Sequence, residues 1–325
     1  MQAKAKQLLE FASSAELLDA AKQRQLFGQS HFILGGGSNC IFCQDFNGTI
    51  IRLTSNQLNV VSDEQFHYLQ VDAGFNWHQL VKYTVEQGIY GLENLALIPG
   101  SVGAAPIQNI GAYGLELSDV LDYVEFIDKQ SLTVQRLKVD ELQLGYRDSI
   151  FKHQLANKVV ITQVGFKLKK QWQANTGYAG LQGLTDAKAI FEQVVAMRQS
   201  KLPDPATIPN AGSFFKNPYI SQAHFTQLKQ AFADIPGFAS DGDSIKVPAA
   251  WLIERCGLKG HEIGGVRVYP HHALVLTNFS NGTGQQLLNL VEHIRNVVKQ
   301  TFKIELQIEV RLIGANGLVE YCDYD

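Results

Sequence analysis

Three short segments of the chain combine reactive side chains with small residues. They are residues 145–149 (Gly-Tyr-Arg-Asp-Ser), 210–218 (Asn-Ala-Gly-Ser-Phe-Phe-Lys-Asn-Pro) and 304–312 (Ile-Glu-Leu-Gln-Ile-Glu-Val-Arg-Leu). Arg147 can hold a carboxylate or phosphate through two parallel hydrogen bonds. Ser213 lies between a glycine and two aromatic residues that can shield its hydroxyl, and Glu309 can serve as an acid, a base or a polarising group. Taken singly, each also fits a turn residue or a solvated surface charge.

Two glycine-rich stretches, residues 35–39 and 99–106, each follow a run of apolar residues. Backbone N–H groups in such turns can converge on an anion, and a flat ligand can lie directly on the main chain. Neither stretch has the spacing of a Rossmann fingerprint or a P-loop. Tight turns beside strands are the alternative, but small residues continue through 107–114, which is more than a turn needs. The pair therefore indicates a nucleotide cofactor and hence an enzyme.

The bulk composition narrows the class of protein. A length of 325 residues allows two or three domains, and the net charge of −3 disfavours binding to nucleic acid or to a membrane surface. No apolar run approaches the ~20 residues of a membrane span, and the N-terminal residues lack the apolar core of a signal peptide. We expect a cytoplasmic protein with no nucleic-acid partner and no membrane insertion.

Four cysteines include a C-x-x-C pair, Cys40 and Cys43, which could be redox-active or bind zinc. The segment reads as a strand, in which positions i and i+3 point to opposite faces. We therefore expect unpaired, structural thiols here and at Cys256 and Cys322. The histidines show no ligand spacing, and we expect no metal.

Apolar periodicity and capping residues predict the elements that position these segments. Helices are predicted from Ser14 to about Phe27, after Asn76, near 185–200, after Ser221, from Pro248 to Gly257 and over 284–302. Strict alternation of apolar residues predicts one continuous strand over 304–312. The proline-rich segment 202–210 reads as a linker.

Five motifs, taken in order, closely resemble the UDP-N-acetylenolpyruvoylglucosamine reductase family, flavoenzymes of peptidoglycan precursor synthesis. The motifs are residues 34–39, 98–114, 145–149, 211–218 and 309–311. The resemblance implies an α+β protein with a vanillyl-alcohol-oxidase-type FAD-binding fold in two subdomains plus an α+β substrate-binding domain. The implied domains are 1–54 with 311–325, 55–202, and 203–310 for the UDP-sugar.

The resemblance also implies a reaction. NADPH would supply a hydride that passes through non-covalently bound FAD to the enolpyruvyl group of UDP-N-acetylglucosamine enolpyruvate, giving UDP-N-acetylmuramate. This step belongs to cell wall biogenesis, on which cell shape, the cell cycle and cell division depend. Arg147 and Glu309 match the positions that stabilise the enolate, and Ser213 matches the proton donor. The implied partners are small molecules, and we expect a monomer.

By the same resemblance, further residues would contact the ligands. The implied cofactor-binding residues are Gly35, Gly36, Gly37, Ser38, Asn39, Pro99, Gly100, Ser101, Gly103, Ala104, Asn109, Gly111, Ala112 and Tyr113. The implied substrate-binding residues are Tyr146, Tyr178, Lys201, Asn217 and Lys246. One departure is Phe238, which stands where a further substrate-contacting tyrosine is expected.

Two other functions stay open at this point. One is a flavin oxidase of the same fold, many of which tether FAD covalently through His or Cys. Neither glycine-rich stretch contains histidine, and Cys40 is the candidate thiol beside them. The other is a nucleotide-sugar-binding regulator without catalysis, against which the joint presence of Arg147, Ser213 and Glu309 argues.

Overall fold

The computed structural model describes residues 1–240 and 242–319. The α-helices of this part of the chain are α1 (Ser14–Arg24), α2 (Trp77–Glu86), α3 (Ala187–Lys201), α4 (Gln222–Ala231), α5 (Ala249–Arg255) and α6 (Gly284–Phe302). Within these described residues, none of the helices combines the length and the apolar character that crossing a membrane requires.

The strands are short and numerous. They are β1 (Ala5–Phe11), β2 (His31–Ile33), β3 (Cys40–Phe42), β4 (Phe46–Leu53), β5 (Leu58–Ser62), β6 (Phe66–Asp72), β7 (Gly111–Ala112), β8 (Leu115–Glu116), β9 (Leu121–Asp128), β10 (Val134–Lys138), β11 (Val159–Lys169), β12 (Asn210–Ser213), β13 (Tyr219–Ser221), β14 (Phe238–Ala239), β15 (Ser244–Lys246), β16 (Glu262–Ile263), β17 (Val266–Val268), β18 (Val275–Asn278), β19 (Arg311–Gly314) and β20 (Gly317–Leu318). With the helices, they make an α+β protein, as predicted.

The chain forms two compact units, each built from separate stretches of sequence. The large unit comprises Ala5–Ser38 and Asn47–Arg198. The small unit comprises Met1–Lys4, Asn39–Phe46 and Gln199–Asp325. The three-domain division drawn from the sequence stays a prediction.

The large unit is organised by an antiparallel sheet in the order β10-β9-β11-β6-β5, with a second sheet in the order β1-β4-β2. Helix α2 packs against the first sheet through Trp77, whose ring lies 5.9 Å from that of Phe166 in β11. The indole N–H donates to the carbonyl of Leu95 at 2.9 Å, so the buried ring leaves no polar atom unpaired. The helix begins where the sequence predicted, because the Asn76 side chain accepts from the N–H of Gln79.

The small unit packs α6 against a sheet in the order β12-β18-β17-β16. The predicted helix over 284–302 is confirmed, and its apolar stripe is buried. Thr283 and Gln286 form a reciprocal capping box at its start. A further sheet, β20-β19-β3, pairs β19 in parallel with β3, which lies near the other end of the chain.

Two predictions about the elements are wrong in detail. The cap of α1 is Ser13 rather than Ser14, and the helix ends at Arg24 because Gln25 adopts a left-handed conformation. The predicted strand over 304–312 is not continuous. Its alternating burial is present up to residue 307, but only Ile308 forms a ladder bridge before β19 begins at 311. The segment changes partner there, from Phe215 to β3.

The N-terminus of α6 gives a test of the small-unit packing. A Cβ on Gly284 would collide with the main chain of Cys43, just beyond β3. Intrinsic propensity alone would make Gly284→Ala more stable by about 1 kcal/mol. We expect instead a loss of about 1–3 kcal/mol in the free energy of unfolding, measured with urea. Gln285→Ala, at the exposed next position, should change stability by less than about 0.5 kcal/mol. A stabilised Gly284→Ala protein would contradict this packing.

Candidate active site

The two glycine-rich stretches touch each other in the large unit. A Cβ on Gly36 would lie 2.8 Å from the Cα of Gly100, and one on Gly35 would lie 2.6 Å from the Oγ of Ser101. The Ser38 hydroxyl donates to the carbonyl of Pro99 at 2.9 Å. Stretches more than sixty positions apart therefore meet main chain to main chain, which only residues without side chains permit.

This contact leaves a group of backbone donors available. Among the described residues, the N–H groups of 35–37, Gly100 and Ser101 donate to no protein acceptor. Gly37 and Gly100 have φ of 71° and 124°, conformations that glycine adopts without strain. Converging main-chain donors of this kind suit a diphosphate, so the geometry fits the pyrophosphate of FAD.

The second stretch continues into a 3-10 helix, Val102–Gln108, and then into the β7-β8 hairpin. Gly103 packs on Ala73, where a Cβ would lie 2.5 Å from the Ala73 Cβ, and Ala104 lies partly exposed in the same helix. The side chain of Asn109 at its end is buried among protein groups. This segment carries the residues expected to line the flavin.

The turn of the β7-β8 hairpin is strained and braced. Tyr113 and Gly114 both have positive φ, at 51° and 84°. Their carbonyls accept from the side-chain amides of Asn94 and Asn175, at 2.9 and 2.8 Å. The Tyr113 ring meets the ring of Tyr178 edge to face at 5.0 Å. Two predicted ligand-contacting tyrosines are thus in contact.

Arg147 lies in a second tight turn, closed by two hydrogen bonds of 3.1 Å between the backbones of Gly145 and Asp148. It has a φ of 55°, which costs a non-glycine residue about 1–2 kcal/mol. Its guanidinium donates to the carbonyl of Gly111, next to Ala112 in β7, at 2.7 Å, and lies 5.3 Å from the Tyr146 ring. The predicted catalytic arginine is therefore held against the segment predicted to line the flavin.

A second guanidinium in this region was missed by the sequence analysis. Arg198, in α3, is partly buried, and this burial lowers its pKa; Tyr113 opposes the shift, whereas the nearby charge of Arg147 lowers the pKa further. Its Nε donates to the carbonyl of Leu97 at 3.2 Å. Two neighbouring cations favour an anion between or beside them. No motif surrounds Arg198 in the sequence, so only the fold could reveal it.

The small unit brings Ser213 and Glu309 onto paired segments. The N–H of Glu309 donates to the carbonyl of Phe214 at 2.9 Å, and the N–H of Lys216 donates to that of Gln307 at the same distance. These bonds place Glu309 opposite the residue that follows Ser213. The predicted proton donor and the predicted acid are thus neighbours within one unit.

Asn39 fixes the same segment from the other side. Its Nδ2 donates to the carbonyl of Glu309 at 3.2 Å, and its own carbonyl accepts from the N–H of Arg311 at 2.9 Å. On the Ser213 side, Gly212 has a φ of 72° at a bulge in β12, and its N–H donates to the Asn210 side chain. Hydrogen bonds therefore fix the main chain at Glu309 and next to Ser213, the two predicted catalytic residues of this unit.

One predicted substrate-binding residue, Lys246, lies in the sheet β13-β15-β14, and a second, Asn217, comes just before β13. Lys246 pairs in register with Tyr219 on one side and Phe238 on the other, and its Nζ lies 5.5 Å from the Tyr219 ring. Phe238, the residue in place of an expected tyrosine, is 60% exposed. The Asn217 side chain accepts from the N–H of Ala249 at 3.0 Å, at the start of α5.

The last predicted substrate residue, Lys201, lies near His272. Burial lowers the pKa of His272, and the charges of Lys201 and Lys259 lower it further. Glu254, which pairs with Lys259 at 3.0 Å, opposes the effect of these two charges on the pKa. Sequence analysis missed His272, whose position beside a second histidine gave no distinguishing signal.

The thiols of Cys40, Cys43 and Cys256 are unpaired, as predicted, whereas Cys322 lies outside the described residues. Burial raises the pKa of each of these three thiols. In the part of the chain that the structure describes, no three His, Cys, Asp or Glu side chains cluster as metal ligands would.

Comparison with known proteins gives matches along most of the chain. The profile of an FAD binding domain family matches residues 5–137, and that of the UDP-N-acetylenolpyruvoylglucosamine reductase C-terminal domain matches residues 204–313. A protein from Shewanella oneidensis named UDP-N-acetylenolpyruvoylglucosamine reductase is 47% identical over 95% of this chain and 92% of its own. A protein of the same name from Pasteurella multocida is 49% identical over a stretch that covers 89% of this chain and 86% of that protein.

A solved structure agrees with the fold. The crystal structure of UDP-N-acetylenolpyruvylglucosamine reductase from Thermus caldophilus superposes with a TM-score of 0.67, covering 94% of this chain and 91% of that one, at 23% identity. Together with the FAD-binding profile, this confirms the predicted fold class.

Substitution at the loop contact tests the cofactor surface. In Gly36→Ala, the new methyl group would meet the main chain of Gly100, so the loops must separate. We expect FAD affinity to fall at least about tenfold, which corresponds to about 1.4 kcal/mol. Titration of the apoprotein, followed by flavin fluorescence, measures this.

The matched control for that titration is Gly28→Ala, because a Cβ there meets nothing within 4 Å. It should bind FAD as the parent does. If Gly36→Ala also binds FAD normally while remaining folded, the contact is not part of the cofactor site.

Proposed function

The chain belongs to the UDP-N-acetylenolpyruvoylglucosamine reductase family, and we propose that it uses NADPH and FAD to reduce the enolpyruvyl group of UDP-N-acetylglucosamine enolpyruvate to UDP-N-acetylmuramate. The family consists of FAD-dependent oxidoreductases of peptidoglycan synthesis, so the chain is an enzyme of that class. The observation that carries the proposal is 47% identity over 95% of the chain to a reductase of this name. The geometry of each unit is consistent with it.

The contact between the two glycine-rich stretches supports the proposed cofactor site. The residues that would hold FAD are Gly35, Gly36, Gly37, Ser38, Asn39, Pro99, Gly100, Ser101, Gly103, Ala104, Gly111, Ala112 and Tyr113. Asn109 would contribute through its main chain alone, because its side-chain amide is bonded within the protein. When bound, FAD would take a hydride from NADPH and deliver it to the terminal vinyl carbon of the substrate. The free N–H groups of 35–37, Gly100 and Ser101 would bind the pyrophosphate without any cationic side chain.

Arg147 would stabilise the negative charge that develops beside the substrate carboxylate. Hydride addition to an enolpyruvyl ether leaves an enolate-like species, and a prearranged cation lowers the energy of that species most. The left-handed turn and the bond to Gly111 fix the guanidinium before substrate arrives. This arrangement avoids reorganisation at the moment of reaction.

Glu309 and Ser213 would complete the reaction. Glu309 in its protonated form, or sharing a proton, would donate a hydrogen bond to the enolate oxygen. Ser213 would then deliver a proton to the carbon next to the carboxylate. A serine hydroxyl is a weak acid, so the ammonium of Lys216 or the amide of Asn217 would be needed to lower the cost of releasing its proton. A positioned donor of this kind contributes about 10²–10⁴-fold in rate.

The remaining residues would bind the nucleotide-sugar. Tyr146 and Tyr178 lie in the large unit beside Arg147 and Tyr113, and the other three, Lys201, Asn217 and Lys246, lie in the small unit. The charges of Lys201 and Lys259 near His272 would favour a diphosphate there, although Glu254 partly offsets them. The loss of a hydroxyl at Phe238 is consistent with stacking or apolar contact there instead.

FAD is proposed to be bound non-covalently. A covalent tether needs a nucleophilic thiolate or imidazole, and burial raises the pKa of the Cys40 thiol, which disfavours its thiolate. Acid precipitation would separate the two cases, since a yellow pellet would indicate tethered flavin and favour an oxidase. Because its proposed substrates are nucleotides of the cell interior, we propose that the protein acts in the cytoplasm, as a monomer.

Ser213→Ala separates the two half-reactions. NADPH should bleach the flavin at a near-normal rate, because that step needs no proton from the chain to the substrate. Reoxidation by the enolpyruvyl sugar should slow by about 10²–10⁴-fold. Stopped-flow absorbance of the flavin measures both rates. Glu309→Gln should show the same division, with an intact first half-reaction and a slowed second.

Ser30→Ala, which removes an exposed serine hydroxyl of the large unit, is the control and should change neither rate. Equal loss of both half-reactions in Ser213→Ala would mean a structural role for the serine. A parent protein whose reduced flavin is not reoxidised by the enolpyruvyl sugar would refute the proposed function itself.

A further inference from the structure

The side-chain amide of Asn109 joins three segments of the large unit. Its Nδ2 donates to the Oε2 of Glu116 at 2.9 Å and to the carbonyl of Gly145 at 3.1 Å. Its Oδ1 accepts from the N–H of Ser118 at 3.0 Å. The residue is 1% exposed. Both amide hydrogens are therefore used inside the protein, and neither remains to donate to a bound ligand.

These bonds form a closed path through Arg147. Asn109 bonds to Glu116, which pairs in register with Gly111 in the β7-β8 hairpin. The carbonyl of Gly111 accepts from the Arg147 guanidinium, and the turn carrying Arg147 returns to Asn109 through the carbonyl of Gly145. One amide therefore sets both the backbone of the arginine turn and the hairpin that orients its side chain.

The arginine turn needs such support because Arg147 has a left-handed backbone. Strained conformations persist only where the surroundings hold them. Two other bonds contribute: the Lys152 ammonium donates to the carbonyl of Arg147, and the buried Ser149 hydroxyl donates to the carbonyl of Ile107 at 2.7 Å. The Asn109 bond differs from these two because it joins the segment expected to line the flavin directly to the turn, at the carbonyl of Gly145.

We propose that Asn109 is a positioning residue that holds Arg147 in its working orientation, and that its side chain affects catalysis through Arg147 rather than by touching cofactor or substrate. This inference rests on the proposed function, since it concerns the half-reaction in which Arg147 would stabilise charge. Displacing a charged group by about 1 Å can cost about 10²-fold in rate.

The test uses Asn109→Gly, because Asn109 has a φ of 41° and glycine keeps that backbone without strain. Reoxidation of reduced flavin by the enolpyruvyl sugar should slow by about 10–100-fold. Bleaching by NADPH, FAD affinity and the flavin spectrum should stay close to those of the parent. Asn281→Gly, at an exposed asparagine with a φ of 51°, makes the same exchange elsewhere and should change nothing.

A double-mutant cycle decides whether the effect passes through Arg147. In an Arg147→Ala background, Asn109→Gly should slow reoxidation by less than about threefold, because the group it positions is gone. A full, additive loss in that background would overturn the proposal, as would an equal loss of FAD affinity, which would make Asn109 a cofactor contact.

Ser149→Ala removes the neighbouring tie to Ile107 and keeps the question answerable if Asn109→Gly does not fold. In the parent background, Ser149→Ala should slow the reoxidation of flavin. In the Arg147→Ala background, the same substitution should have little further effect on that rate. An unchanged rate in Arg147→Ala itself would refute the role proposed for the arginine, which is a separate outcome from failure of the cycle.

Discussion

The glycine-rich surface of the large unit depends on the main-chain contact between Gly36 and Gly100, which leaves no room for a Cβ. Each side of this contact is tied to a sheet or helix. The N–H of Leu34 donates to Ile51 in β4, and the carbonyl of Gly100 accepts from Trp77 at the start of α2. The glycine surface thus exists only when the sheets and α2 are already in place. The core of this unit therefore positions the main-chain surface that the two glycine-rich stretches form.

Around that surface, several non-glycine residues are held in left-handed conformations: Leu97, Asn109, Tyr113 and Arg147. Each costs about 1–2 kcal/mol in isolation. Leu97, Tyr113 and Arg147 are each held by another residue's side chain that hydrogen-bonds their own main chain. His78 accepts from the N–H of Leu97, and Asn94 donates to the carbonyl of Tyr113. Strain concentrated in one region and balanced by buried hydrogen bonds is typical of a preorganised site rather than of a mobile loop.

The sequence predicted what depends on local chemistry. Caps such as Asn76 and Ser221 and the amphipathic stripe of α6 mark helices through contacts only a few residues apart. The glycine-rich stretches were recognisable because a missing side chain is visible in the sequence. Adjacent serines at the start of α1 left the cap ambiguous by one residue.

What could not be predicted depends on partners far along the chain. The alternation over 304–312 indicated an extended segment. It could not show that this segment pairs with Phe215 at Ile308 and with β3 from Arg311 onward. Nothing near Asn109 in the sequence shows that its side chain bonds to the Arg147 turn, and nothing near Arg198 shows that its charge acts on Arg147. Both effects arise from tertiary contacts, which leave no periodic trace in the sequence.

The order in which the two units can be completed during synthesis follows from the stretches of sequence that make up each unit. All of the large unit is encoded before residue 199, so its sheets can close while residues 199–325 are still being translated. The small unit must wait, because β3 lies within the first fifty residues and its parallel partner β19 begins only at Arg311. Until the ribosome releases that segment, β3 lacks the parallel partner that it has in the complete small unit and so has an unpaired edge. A chain truncated shortly before residue 311 would keep this edge permanently open to other chains.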